Sequence, residues 1–121
     1  MRVVLQRVQK AQAIIEEGES NEIGQGILVL LGIEMADEMS DVDWLVNKVL
    51  NLRIFDDDNG VMNKSLLDVN GELMIVSQFT LMAATKKGNR PSYIKAASHE
   101  HAIPLYESFI KKTGSFLSVK F

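Results

Sequence analysis

A chain of 121 residues has room for one hydrophobic core, which excludes a multidomain enzyme. Zero cysteines exclude a disulfide framework, a thiolate zinc site and a cysteine nucleophile together, and 46% hydrophobic with 24% charged residues describe an ordinary globular chain. Thirteen basic against sixteen acidic residues, a net charge of −3, argue against coating nucleic acid by bulk electrostatics and leave a local basic patch as the route to such a partner.

Surface scaling gives roughly 6,500 Å² of folded surface against about 19,500 Å² unfolded, enough burial for a core without staples. The opening residues, from Met1 to Lys10, interrupt every apolar pair with a charge or an amide, so no signal-peptide core is expected. The longest apolar stretch, Ile27 to Ile33, is far short of the ~20 residues of a membrane span, and a cytoplasmic location is the expectation.

Residues 2–9 and 12–17 have strand composition, with Gly18 turning the chain between strands. Gly24 and Gly26 punctuate the entry to 27–33, whose unbroken apolar character predicts a central strand covered on both faces. Ser40 with Asp43 approximates a capping box, and Val42, Leu45, Val46, Val49 and Leu50 recur at helical spacing, which predicts a helix over 40–51. Leu52 to Phe55 is strand-like and runs into Asp56-Asp-Asp-Asn-Gly60. Alternate carboxylates there invite a calcium-loop reading, but Val61 stands where the EF-hand glycine belongs and Leu67 where its closing glutamate belongs. A solvated turn with Asn59-Gly60 at its tip is expected. Asn70-Gly71 then opens a strand over 72–81, followed by a Lys-, Gly- and Pro-containing loop at 84–92. Ile103, Tyr106, Phe109 and Ile110 mark one face of a last helix, with Ser98 as a cap upstream and Pro104 placing the regular start near residue 102. Strands, helix, strands, helix without regular βαβ alternation favour a mixed α+β fold over a doubly wound sheet.

The common catalytic motifs are absent: no phosphate-binding glycine loop, dinucleotide fingerprint, Gly-x-Ser-x-Gly elbow or His-Glu-x-x-His occurs. His99 and His101 are two apart at a helix start, which does not put both on one face, so solvated or capping-region residues are expected rather than metal ligands. Sequence order does not exclude a Ser-His-Asp triad, and nothing supports one. What remains is Ser77-Gln-Phe-Thr-Leu81, followed by Lys86-Lys-Gly-Asn-Arg-Pro-Ser-Tyr93. On a strand, Gln78 and Thr80 share one face and Ser77, Phe79 and Leu81 the other, a pattern as compatible with a plain solvent face as with a site.

Ser77 to Leu81, together with Lys87-Gly-Asn-Arg-Pro-Ser-Tyr93, resembles the signature of D-aminoacyl-tRNA deacylases. Val4-Leu-Gln-Arg-Val8, the Gly26 to Gly32 strand, Trp44-Leu45 with Lys48-Val-Leu50, Leu52-Arg-Ile-Phe55, Met62-Asn63 and Leu105-Tyr-Glu107 occur in the family's order, so the resemblance covers essentially the whole chain. It implies an α+β fold with a mixed, barrel-like antiparallel sheet and two main helices. It further implies a cytoplasmic homodimer that binds tRNA, needs neither cofactor nor metal, and works in translation proofreading. The reaction is hydrolysis of the ester joining a D-amino acid, or glycine mischarged onto tRNA-Ala, to the terminal adenosine. Such an ester is already activated and the neighbouring ribose hydroxyl can take part in its cleavage, so the protein need mainly position the substrate and stabilise an oxyanion.

Residue by residue, the resemblance implies a catalytic signature of Ser77, Gln78, Phe79 and Thr80. The backbone N–H groups of Phe79 and Thr80 lie near the substrate carbonyl and Gln78 near the terminal nucleotide. A threonine nucleophile needs an adjacent base and none is evident, so the Thr80 amide is expected to matter more than its hydroxyl. Lys86, Lys87 and Arg90 suit the phosphates of the tRNA acceptor end, a solvated loop being the alternative. Arg7 matches an arginine that supports the active-site loop, with edge exposure as the alternative.

Family members continue past the last helix to a Gly-Pro-Val-Thr motif whose cis Gly-Pro bond enters the partner subunit's pocket and excludes L-amino acids. Here the prolines are Pro91 and Pro104, and neither follows a glycine. The expectation is a single deacylase-like domain over 1–121, C-terminally truncated relative to the family, with little stereospecific activity alone. A catalytically impaired RNA- or protein-binding module on the same fold is the alternative.

Overall fold

The computed structural model describes residues 1–121, leaving aside the side chain of Glu17. Along the chain run β1 (Arg2–Val8), β2 (Ala11–Ile14), a 3₁₀ turn (Glu16–Gly18), β3 (Ser20–Ile23), β4 (Gly26–Gly32), α1 (Met39–Asn51), β5 (Phe55–Asp56), β6 (Met62–Lys64), β7 (Glu72–Ser77), a second 3₁₀ turn (Phe79–Met82), α2 (His99–Gly114) and β8 (Val119–Lys120). One mixed sheet has the order β1-β4-β7-β8, with β4 antiparallel to β1 and parallel to β7, and β7 parallel to β8. β4 is thus central, as its apolar run predicts.

Parallel neighbours cannot be joined by a hairpin, so the chain crosses over twice, once through α1 and once through α2. The fold is α+β, yet it contains two crossovers that the order of elements hides: the β5–β6 hairpin intervenes between α1 and β7, and β8, which ends the second, is only two residues long. Period-two alternation turns Ile27, Val29 and Leu31 of β4 and Leu73 and Ile75 of β7 toward the helices, where they are buried with Val42, Val46, Val49 and Leu50 of α1 and Leu105 and Phe109 of α2.

The opposite sheet face carries Leu28, Leu30 and Val76, only half-buried, and Val4, 48% exposed. Coverage of β4 on both faces is therefore incomplete. The β2–β3 hairpin reaches only one end, where Asn21 Nδ2 donates to the Phe121 carbonyl at 2.8 Å and Gly24 N–H to Glu72 Oε1 at 3.1 Å. The sheet stays open with β1 and β8 as its edges, so barrel-like closure is not formed among the described residues. The accessible surface of 8027 Å² exceeds the roughly 6,500 Å² of a compact monomer of this mass. No helix among the described residues is long and apolar enough to cross a membrane.

Several element ends differ from expectation for local reasons. The capping box of α1 is Glu38 with Asp41, and Ser40 instead donates its hydroxyl to Glu38 Oε1 at 3.2 Å. β2 ends at Ile14, where the Glu16–Gly18 turn takes over, and β5 is confined to Phe55–Asp56. α2 begins at His99, with Ser98 at the N-cap position but no hydroxyl cap. Pro104 is accommodated in the second turn of that helix at the cost of one backbone donor. β7 stops at Ser77 rather than continuing to residue 81. The acidic stretch is a turn: Asp57 accepts the N–H groups of Asn59 at 2.9 Å and Val61 at 3.1 Å, and Gly60 takes φ +75°.

Those donors hold Asp57 below the usual carboxylate range, and the Ser65 N–H and hydroxyl do the same for Asp68. A carboxylate whose folded pKa is depressed contributes stability above its unfolded value and loses it as pH falls through the lower folded value. Asp57→Ala and Asp68→Ala should each lower the Tm at pH 7, and the gap to the parent should shrink as pH drops below 3.8, in thermal melts recorded from pH 7 to about 2.

Candidate active site

β4 and β7 pair in parallel up to Leu31 opposite Ser77, and one further bond, Gln78 N–H to the Leu31 carbonyl at 2.8 Å, ends the ladder. Gln78, at φ −142° and ψ 87°, redirects the chain into the Phe79–Met82 turn. The two-faced strand expected over Ser77 to Leu81 is replaced by a knuckle. Within it Leu81 N–H donates to the Gln78 carbonyl at 3.2 Å, Ala83 N–H to the Thr80 carbonyl at 3.1 Å, and the Gln78 side-chain amide to Thr80 Oγ1. The first N–H groups of a helical turn have no partner inside it. Among the described residues those of Phe79 and Thr80 find no acceptor elsewhere. Two adjacent unpaired N–H groups can take up one anionic oxygen.

Other expected residues fall in three places. Phe79, 57% exposed, meets the edge of Tyr93 with ring centroids 5.2 Å apart and planes at 68°. Tyr93 follows the basic loop, which is pinched at its base where Ala84 and Ser92 exchange N–H···O bonds of 2.8 and 2.9 Å. Lys86, Lys87 and Arg90 stand exposed between those two residues, with no carboxylate among the described residues in ion-pair reach. The aromatic pair therefore couples the knuckle to the base of the basic loop.

Arg7 is not brought to this cluster. Its Nη1 donates to the Ile54 carbonyl at 2.6 Å, and Asp56 lies 3.7 Å away. β1 pairs Arg2 with Gly32 but Arg7 with Ile27. At ~3.3 Å per residue Arg7 lies about 17 Å along the strand from the knuckle. The arginine that does reach the knuckle is Arg2, whose Nη1 donates to the Leu81 carbonyl at 3.0 Å. Only the β1–β4 register reveals this contact.

The histidines lie elsewhere. His101 Nε2 is 2.8 Å from the Asp37 carbonyl, while the Asp37 carboxylate holds the Met1 ammonium at 2.6 Å and the Glu34 N–H at 2.7 Å. No group of three metal-ligating side chains assembles among the described residues.

Gly32 is the seat of the knuckle. A Cβ there would lie 2.9 Å from Leu81 Cβ, 3.1 Å from the Gln78 carbonyl oxygen and 3.1 Å from Met82 Cε. The first two atoms belong to the start of a side chain and to backbone, so the turn must shift to admit a methyl group. Gly32→Ala should cost about 1–3 kcal/mol of stability, read by urea unfolding.

Residues 4–120 match the family described as D-Tyr-tRNA(Tyr) deacylase. The chain is 58% identical over 118 residues to a D-aminoacyl-tRNA deacylase of Azobacteroides pseudotrichonymphae, covering 98% of this chain and 79% of that one. It is 59% identical over 111 residues to the D-aminoacyl-tRNA deacylase of Bacteroides thetaiotaomicron, covering 92% and 74%. A solved structure described as c-Myc DNA Unwinding Element Binding Protein superposes with a TM-score of 0.88 at 36% identity, over 100% of this chain and 85% of that one. A probable eukaryotic D-amino acid tRNA deacylase shares the fold, with a TM-score of 0.79 at 18% identity, over 93% and 66%. The family match spans nearly the whole chain and these two relatives are more than half identical to it, so the chain belongs to the D-Tyr-tRNA(Tyr) deacylase family.

Proposed function

We propose that residues 1–121 form one deacylase domain that hydrolyses the ester between a D-amino acid and the terminal adenosine of tRNA, in translation proofreading, and that the knuckle after β7 carries out the cleavage. The support is the pair of unengaged Phe79 and Thr80 N–H groups within a chain of this family. A water oxygen bonds to the ester carbonyl carbon and puts negative charge on the carbonyl oxygen; collapse then breaks the bond to the ribose oxygen, which leaves as the ribose hydroxyl with a proton from that water, and the amino acid departs as its carboxylate. Two fixed N–H donors stabilise that charge, and losing one such donor costs about 10²–10³ in kcat.

The Thr80 hydroxyl serves a different end. It accepts from the Gln78 amide, and no carboxylate, imidazole or amine among the described residues hydrogen-bonds to it, so it lacks the base a nucleophile needs. The bond between these two side chains fixes the knuckle, and Gln78 borders the terminal nucleotide. Ser77 closes the strand that positions them. Lys86, Lys87 and Arg90 meet acceptor-end phosphates, which position the RNA without reading its sequence. Arg7 acts at a distance from the knuckle, bracing the entry to β5.

A second copy of the chain completes this reading. The half-buried Leu28, Leu30 and Val76 with the exposed Val4 make an apolar sheet face suited to a homodimer, and the surface of 8027 Å² is large for one compact unit. The substrate places the protein in the cytoplasm, where aminoacyl-tRNA is used. Ester cleavage is assigned to the knuckle.

Thr80→Ala keeps the N–H and should leave kcat within about tenfold of the parent, whereas complete loss in a folded variant would overturn the backbone role. Neutralising Lys86, Lys87 and Arg90 together should flatten the slope of log K against log[salt] for tRNA binding by about 2, at ~0.7–0.9 per phosphate contact. An unchanged slope removes the loop from the interface. Deacylation of matched D- and L-aminoacyl-tRNA separates turnover from selectivity, and binding without turnover would favour a binding module.

A further inference from the structure

We propose that Arg2 is a positioning residue, whose guanidinium holds the Leu81 carbonyl and so keeps the Phe79 and Thr80 N–H groups aimed at the substrate. The proposal rests on the assignment of those two groups as the oxyanion site.

The register carries it. Arg2 and Gly32 are direct partners across β1 and β4, and directly opposed residues project to the same face of a sheet. Gly32 leaves its share of that face empty, and Leu81 fills the space: a Cβ at position 32 would lie 2.9 Å from the Leu81 Cβ. The Arg2 side chain, rising from across the ladder, reaches over the same place and donates to the Leu81 carbonyl at 3.0 Å. That carbonyl has no other partner among the described residues, because Leu81 lies in the last part of a short turn whose final carbonyls are unpaired within it.

Two further features suit a strut. Arg2 is anchored on both sides, by the ladder and by Met1, whose ammonium is bound to buried Asp37 at 2.6 Å. Nor does any carboxylate among the described residues lie within ion-pair distance of it, so no competing anion draws the guanidinium away. A cation is also favoured at the carbonyl end of the turn, where the peptide dipoles present partial negative charge. Arg7 does the same for the Ile54 carbonyl at the other end of β1, so this strand braces a loop at each end.

The test uses the full chain with Arg2→Met and Arg2→Lys. Amide hydrogen exchange at Leu81 and Ala83, whose N–H groups donate within the knuckle, should speed up about tenfold in Arg2→Met while amides of β4 and β7 stay unchanged. On D-aminoacyl-tRNA, kcat should fall about tenfold with KM within about twofold, and Arg2→Lys, which keeps one donor, should recover most of both losses. Unchanged exchange overturns the strut itself. A raised KM with kcat intact also overturns it, making Arg2 a phosphate contact. Faster exchange with unchanged turnover overturns the positioning role from the other side: the strut stands and the assignment of the Phe79 and Thr80 amides falls.

Discussion

The hydrogen bond from Gln78 N–H to the Leu31 carbonyl is the last rung of the parallel β4–β7 ladder, and the candidate site depends on β7 having no partner beyond it. Strand alternation points the Ile33 carbonyl to the same side as that of Leu31. That carbonyl is already taken by Ala97 N–H at 2.9 Å, next to the Glu34–Ala96 bridge and the Met35 N–H bond to Lys95 at 3.2 Å. The chain segment leading into α2 thus occupies the edge that β7 would need. β7 must leave the sheet, and it does so over the one position, Gly32, where no side chain obstructs the turn.

The same constraint explains how the proposed chemistry can do without the usual side-chain signatures. A strand leaving its ladder into a 3₁₀ turn exposes consecutive N–H groups without help from any titratable residue. The histidine and carboxylate that could have formed a relay are spent elsewhere. His101 bonds the Asp37 backbone, and the Asp37 carboxylate bonds an N-terminal ammonium and the Glu34 N–H. Tyr106, another titratable group near β7, donates its hydroxyl to the Ile75 carbonyl, and its burial pushes its pKa up.

What could be read from the sequence was whatever a single element's periodicity encodes. The run 27–33 announced a central strand, Val42 to Leu50 a helix face, and Asp56 to Gly60 a turn. The exit of β7 at Ser77 could not be read that way, because Phe79 and Leu81 continue the apolar alternation, while the carbonyl that a longer β7 would need, that of Ile33, is taken by Ala97 N–H. The capping box at Glu38 was hidden because glutamate is not a favoured N-cap residue, so Ser40 drew the reading two residues downstream. The role of Arg2 was invisible for a related reason: it depends on which residue lies across the ladder. The resemblance supplied the identities Ser77 to Thr80, and the backbone supplied the geometry that a strand reading had denied them.

The knuckle is open to solvent, and that bears on how much two N–H groups can do. Hydrogen bonds to a developing charge are strong where water is excluded and weak where water competes. Phe79, at 57% exposure, and Ile94, at 85%, flank the turn and the base of the basic loop, and Ile94 lines a recess of about 360 Å³ with Glu34, Met35, Ala36 and Lys95. Apolar groups this exposed beside a site of polar backbone create the low-dielectric surroundings that catalysis requires only when another surface covers them. The terminal adenosine and a second copy of the chain are the surfaces that the proposed function brings there. Register, glycine seat and arginine contact are thus built within one chain, whereas the exclusion of water that the proposed role of the amides requires must come from a surface laid over them.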